Sequence, residues 1–206
     1  MIKKDEKLTR IVSYLTFDGH LAEDLKCFYL SSKRKEMLKD FEKLVSDKFN
    51  LKGRYEKGTG YGESYKYRVF NSKIAKSLHS IGTPKGSKVN KSFLVPEWIK
   101  ENPKLSRTYL DVAFQCEGGF WKEGKYLKIK FGVGKNEALL ENCKDFLRDL
   151  KMMLNRLGIE TTEIWAIKGN NRKDGKTTKM LYFKVKQASI PVFLKSFNLS
   201  DRFKRR

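Results

Sequence analysis

Between residues 35 and 49 the apolar positions Met37, Leu38, Phe41, Leu44, Val45 and Phe49 recur every three or four residues, the stripe of an amphipathic helix. The same period over 136–157, through Leu140, Cys143, Leu147, Leu150 and Leu154, predicts a longer one. Shorter helices are expected at 9–17, capped by Thr9 and using Ile11, Tyr14 and Leu15, at 109–116, capped by Ser106, and at 72–81, using Ile74, Leu78 and Ile81. Elsewhere the period drops to two. Tyr65-Lys66-Tyr67-Arg68-Val69 and Tyr126-Leu127-Lys128-Ile129-Lys130-Phe131 alternate in type residue by residue, as half-buried strands do. Residues 20–30 read as a strand or hairpin, 54–70 as a hairpin about Gly58, Gly60 and Gly62, and 162–167 with 180–186 as a hairpin around the loop GNNRKDGK.

Helix, hairpin, helix, hairpin, helix thus occurs twice, which defines an α+β protein of two αββαββα repeats. Residues 1–95 form the first repeat, 96–105 a linker bracketed by Pro96 and Pro103, and 106–206 the second. Asp18 and Glu117 mark equivalent points about 99 positions apart.

Charge narrows the partner. Forty-five Lys and Arg against 24 Asp and Glu give +21 over 206 residues, while 39% hydrophobic and 13% aromatic content excludes a disordered basic tail. A folded chain this basic repels itself, and a polyanion relieves that repulsion; nucleic acid is the expected partner. No apolar run reaches the roughly 18 residues a membrane helix needs, and no secretion signal is read at the N-terminus, so no membrane partner is expected. Three widely spaced cysteines, Cys27, Cys116 and Cys143, fit a reducing compartment, cytoplasmic or organellar. With only His20 and His79 beside them, zinc sites and His-dependent nucleophilic catalysis are excluded.

The candidate chemistry lies at the ends of two helices. IVSYLTFDG, ending at Gly19, and LDVAFQCEG, ending at Gly118, each close an apolar helical run with an acid followed by glycine. Either alone reads as an ordinary C-cap turn. A carboxylate there opposes the helix dipole, and two such acids brought together repel by roughly 4 kcal/mol at 4 Å. Magnesium or another divalent cation would offset that repulsion, and on a phosphate backbone would activate water and neutralise a leaving oxygen.

These two stretches resemble the paired motifs of the LAGLIDADG homing endonucleases in their single-chain, two-repeat form. The resemblance includes the order of elements and the segment GTPKGSKVNKSFLVPEWI, similar to the Gly-Lys and Val-Pro-x-Trp-Ile stretch that often closes a first repeat. It departs where the family favours small residues: Val12 and Ser13 in the first motif, Asp111 and Val112 in the second. The resemblance implies motif helices packed at a pseudo-twofold axis, two antiparallel sheets forming a saddle in the major groove, and a monomeric, intron-associated hydrolase that cuts double-stranded DNA. It makes Asp18 and Glu117 the metal-binding catalytic acids. By position it nominates Lys88 and Lys186 as basic residues that assist, and the strand arms as the DNA surface: Lys26, Arg54, Lys66, Arg68, Lys128, Lys130, Lys168 and Lys184, with the tip residues Arg172 and Lys173. The alternative is a non-cleaving DNA-binding protein, or a maturase acting on intron RNA, with the same fold. GNNRKDGKT is not a P-loop, having one residue too many between its glycines and joining two strands.

Overall fold

A computed structural model of the chain describes residues 2–58, 63–171, 177–197 and 199. It divides into two compact units, Met1–Gly86 and Ser87–Arg206.

The first unit opens with α1 (Glu6–Thr16). Its cap is Asp5 rather than Thr9: the Asp5 carboxylate accepts from the Leu8 amide at 3.0 Å, and Thr9 lies inside the helix, its hydroxyl donating to the Asp5 carbonyl. Strands β1 (Gly19–Leu21), β2 (Cys27–Ser32), β3 (Arg54–Lys57) and β4 (Tyr65–Phe70) form an antiparallel sheet in the order β1-β2-β4-β3. The helices α2 (Lys35–Phe49) and α3 (Ser72–Ser80) follow β2 and β4, within a residue of their predicted limits. The α2 stripe is buried from Met37 to Val45, and Phe41 sits edge-on to Tyr14, Phe28 and Tyr67 at 5.9, 6.4 and 6.4 Å. Gly60 and Gly62 of the predicted turn lie outside the described residues.

The second unit repeats the plan: α5 (Pro103–Glu117), β5 (Gly118–Glu123), β6 (Tyr126–Asn136), α6 (Leu140–Asn155), β7 (Trp165–Asn171), β8 (Thr177–Lys184) and α7 (Ile190–Ser196). Its sheet runs β5-β6-β8-β7, again antiparallel, the order of the first sheet. Gly124, at φ +59°, makes the tight turn between β5 and β6. Six residues earlier than expected, α5 starts at Pro103 and is capped by Asn102; Ser106 instead donates from inside the helix to the Ile99 carbonyl at 2.8 Å. Phe114 fills the centre of this core, 5.2 Å from Phe131 and 4.8 Å from Phe193.

Residues 87–95, read above with the first repeat, belong to the second unit. The Phe93 and Val95 amides donate to Asn142 and Asp149 of α6, and Phe93 packs on Phe146 at 5.1 Å. The stretch 96–105, read as a linker, contains α4 (Glu97–Lys100), with Ile99 fully buried and Lys100 paired to Asp149 at 3.2 Å, before α5 begins.

Candidate metal-binding acids and nucleic-acid surface

Each unit places its acid at the same joint. Asp18, half-buried, stands between the end of α1 and Gly19, the first residue of β1; Glu117, exposed, is the last residue of α5 and precedes Gly118, the first of β5. The chain doubles back there from helix into strand. A Cβ on Gly19 would come within 2.8–2.9 Å of the Tyr14 carbonyl, the Leu15 Cα and the Tyr29 carbonyl; one on Gly118 would come within 2.4 Å of the Phe114 carbonyl. Glycine is therefore required for space. The left-handed helix stop that sequence alone implies is not used: Gly118 is extended at φ −68°, and neither glycine has positive φ.

Among the described residues no cluster of three or more His, Cys, Asp or Glu could hold a metal. Single carboxylates fit a hard cation that keeps several waters and takes its other oxygens from a phosphate, which is how magnesium is usually held. Asp111, polar within the second motif, accepts from Gln115 at 2.9 Å one helical turn on.

The sheets carry the cations on the faces opposite their cores. In the first, Phe28, Leu30, Tyr67 and Val69 point into the core, and register therefore puts Tyr29, Lys66, Arg68, Arg54 and Glu56 on the outward face. One row crosses all four strands: His20, Tyr29, Arg68, Arg54. In the second, Ile129, Phe131, Leu181 and Phe183 are buried, and Lys128, Lys130 and Lys184 face outward with Trp121, Tyr182 and Trp165. Lys130 lies 5.3 Å from the Tyr182 ring and Lys184 5.8 Å from Trp121. Arg54 stands directly opposite Arg68, and Lys130 directly opposite Lys184.

The remaining candidates are scattered. Lys168 pairs with Lys179 and so takes the face of Leu181, away from Lys130 and Lys184. Lys26 lies in the β1–β2 loop, 3.6 Å from Asp24. Lys88, nominated in the first half, lies in the second unit, where its carbonyl accepts from Lys135. Lys186, beyond β8, is bonded to Glu160 at 2.8 Å, which raises its pKa. Arg172 and Lys173 lie outside the described residues. Glu56 and Tyr29 escaped the sequence reading because only strand register shows that they share a face with the arginines.

This arrangement, a helix, a four-stranded antiparallel sheet and covering helices given twice, defines a duplicated α+β protein, and solved structures agree. The homing endonuclease I-WcaI bound to its DNA recognition sequence matches with TM-score 0.59 at 9% identity, covering 96% of this chain and 83% of that one. I-DmoI in complex with DNA and Mn matches at 0.54 and 16%, covering 93% and 96%. Full-length DUF199/WhiA from Thermatoga maritima matches at 0.59 and 13%, covering 93% and 54%. The protein has the LAGLIDADG fold.

No protein-family model matches the chain. Among curated proteins it is 35% identical over 172 residues to the tRNA-splicing ligase RtcB of Methanopyrus kandleri, covering 75% of this chain and 17% of the ligase. It is 29% identical over 210 residues to the DNA-directed RNA polymerase subunit Rpo1N of Methanocaldococcus jannaschii, covering 86% and 15%. In the same organism it is 28% identical over 154 residues to glutamine–fructose-6-phosphate aminotransferase, covering 74% and 13%. The chain thus spans less than a fifth of each of these relatives.

Proposed function

We propose that the protein is a site-specific endonuclease that hydrolyses both strands of DNA, with Asp18 and Glu117 as its metal-binding acids. The observation that carries this reading is one joint built twice: a carboxylate between a buried helix and the first strand of a sheet whose outward face sets like charges opposite each other. Like charges opposed across strands destabilise a sheet, by roughly 0.2–1 kcal/mol per pair, and a phosphate backbone on that face turns the cost into attraction. I-DmoI and I-WcaI were solved with DNA, and I-DmoI with Mn, which supports the same partner and a divalent cation here.

The curated relatives support it from another side. A tRNA ligase, a polymerase subunit and an aminotransferase share no chemistry, yet each contains a stretch similar to this chain. A stretch that recurs beside three unrelated activities is best read as an insertion carried within different host proteins, which accords with a nuclease acting on long gene sites rather than with ligation.

In this mechanism the cations of the two sheet faces bind and orient the duplex, and Asp18 and Glu117 hold magnesium or another divalent ion. When bound, the ion lowers the pKa of water and neutralises the departing oxygen. Since each unit contributes one acid, a single chain suffices and the active species is a monomer.

The test is cleavage of a pool of long randomised duplexes with magnesium or manganese, the cut ends being sequenced. Metal-ion stabilisation is worth several kcal/mol, so Asp18→Asn and Glu117→Gln should each lower cleavage on the order of a hundredfold or more while leaving DNA binding in place. Undiminished cleavage by either variant would remove that acid from the mechanism. Tight binding without cleavage by the unaltered protein would instead establish a non-cleaving binder.

A further inference from the structure

The two sheet faces are chemically unequal, and their difference assigns base recognition. We propose that Arg54 and Arg68 are the guanine-reading residues of the first unit, held in register by Glu56, whereas the Lys130–Lys184 face of the second unit makes phosphate contacts with little base discrimination. This rests on the proposed binding of double-stranded DNA.

Glu56 lies two residues beyond Arg54 on β3 and diagonal to Arg68 on β4, so all three share the outward face. Each of its oxygens holds one arginine. Oε1 accepts from Arg54 Nε at 2.8 Å, and Oε2 pairs with Arg68 Nε at 3.2 Å, an ion pair without hydrogen-bond alignment. Both contacts are made through Nε, which leaves the edge formed by the two Nη atoms of each guanidinium unused by them.

Aromatic rings flank both guanidinium groups. Arg68 Cζ lies 5.0 Å from the Tyr29 ring and 5.8 Å from Phe70, and Arg54 Cζ 4.7 Å from Phe70. Phe70 itself is 54% exposed, a large ring left at the surface with two guanidinium groups against it.

A carboxylate on a face meant for phosphate repels its ligand. Its presence between two arginines is explained if orientation matters more there than net charge. A guanidinium held in plane, with its Nη edge available, matches the O6 and N7 acceptors of guanine, and little side-chain entropy remains to be lost on contact.

The equivalent row of the second sheet is Gly119, Lys130, Lys184. The lysines sit near Tyr182 and Trp121; the carboxylate on this face, Glu123, pairs with Lys128 at 3.6 Å and not with either of them. An ammonium on a flexible stem is a point charge with rotatable donors, suited to the phosphate backbone, which carries no sequence information.

The experiment is selection of bound duplexes from a fully randomised pool by the full chain and its variants. The unaltered protein should enrich fixed guanines, and Arg54→Lys and Arg68→Lys should each relax one guanine position by about 5- to 100-fold, the worth of a good bidentate contact. Glu56→Gln should relax both. Lys130→Ala should weaken all sequences alike and leave the selected motif intact. Enrichment whose guanines survive Arg68→Lys and Glu56→Gln, or a base preference lost with Lys130→Ala, would overturn the assignment. If no duplex sequence is enriched by the unaltered chain, the site-specific reading of the whole protein falls with it.

Discussion

A single methyl group is enough to probe the joint on which the proposed chemistry depends. At Gly19 it would press on three backbone atoms closer than 3 Å, and at Gly118 on the Phe114 carbonyl at 2.4 Å, so neither neighbour can swing aside as a side-chain tip would. We expect Gly19→Ala and Gly118→Ala each to cost about 1–3 kcal/mol in denaturant unfolding and to displace the adjoining acid. Gly134→Ala is the matched comparison on β6: nothing lies within 4 Å of its Cβ, and its stability should change by less than about 1 kcal/mol. Equal losses at all three positions would show that backbone freedom, not space, explains these glycines. The need for glycine after each acid was legible in the sequence, but its reason was not. A helix stop and a close strand crossing leave the same letter, and only the distance to the helix carbonyl separates them.

At the scale of elements, the periods of four and two located α2, α3, β4 and the core of β6, because burial of one face decides those segments. Helix starts were misread for a different reason. Thr9, Ser106, Asp5 and Asn102 all have capping chemistry, and the choice falls to whichever side chain stands where the chain turns in. The pattern reads 87–95 as the close of the first repeat and 96–105 as a linker bracketed by prolines, yet the packing of residues 88–93 rests on a residue whose role no local pattern shows. Lys135, on β6, is 3% exposed; its ammonium donates to the Lys88 and Lys91 carbonyls and lies 4.0 Å from the Phe93 ring. Burial pushes its pKa down to about 8, against the upward pull of Cys143, whose own thiol burial pushes up to about 11. An unfolded lysine titrates near 10.4, so between about pH 8 and that value the unfolded chain holds a proton the folded chain has lost. Folding stability from this group is therefore lowest below pH 8 and rises as pH climbs through the window. Urea titrations at pH 7.5 and 10 should show a larger gain for the unaltered protein than for Lys135→Met. An equal change in both would mean that Lys135 remains protonated throughout.

For the whole molecule, +21 acts on folding and on binding with opposite sign in salt. Screening relieves the self-repulsion of the free chain, most strongly where like charges stand opposed with no carboxylate between them, as at Lys130 and Lys184. The same screening removes the entropy gained when phosphate counterions are released, so affinity for the proposed duplex DNA partner should fall as salt rises. If Lys66, Lys128, Lys130 and Lys184 each neutralise one phosphate, the plot of log affinity against log salt should have a slope of about −4, and other surface lysines can only steepen it. Lys130→Ala or Lys184→Ala should each flatten that slope by about one unit, while Arg68→Lys, which keeps its charge, should leave the slope unchanged even as it alters sequence preference. Raising salt from about 50 to 300 mM should in parallel raise the unfolding midpoint of the free protein, within the range where the Debye length shrinks below the spacing of exposed charges. Two titrations of one sample, binding by fluorescence anisotropy and unfolding by circular dichroism, would read both effects. Affinity indifferent to salt would disconnect the basic faces from DNA, whatever the fold resembles. A midpoint that fell with salt would mean that ion pairs such as Arg10–Asp40 and Lys7–Asp47 outweigh the repulsion of the net charge in holding the chain together.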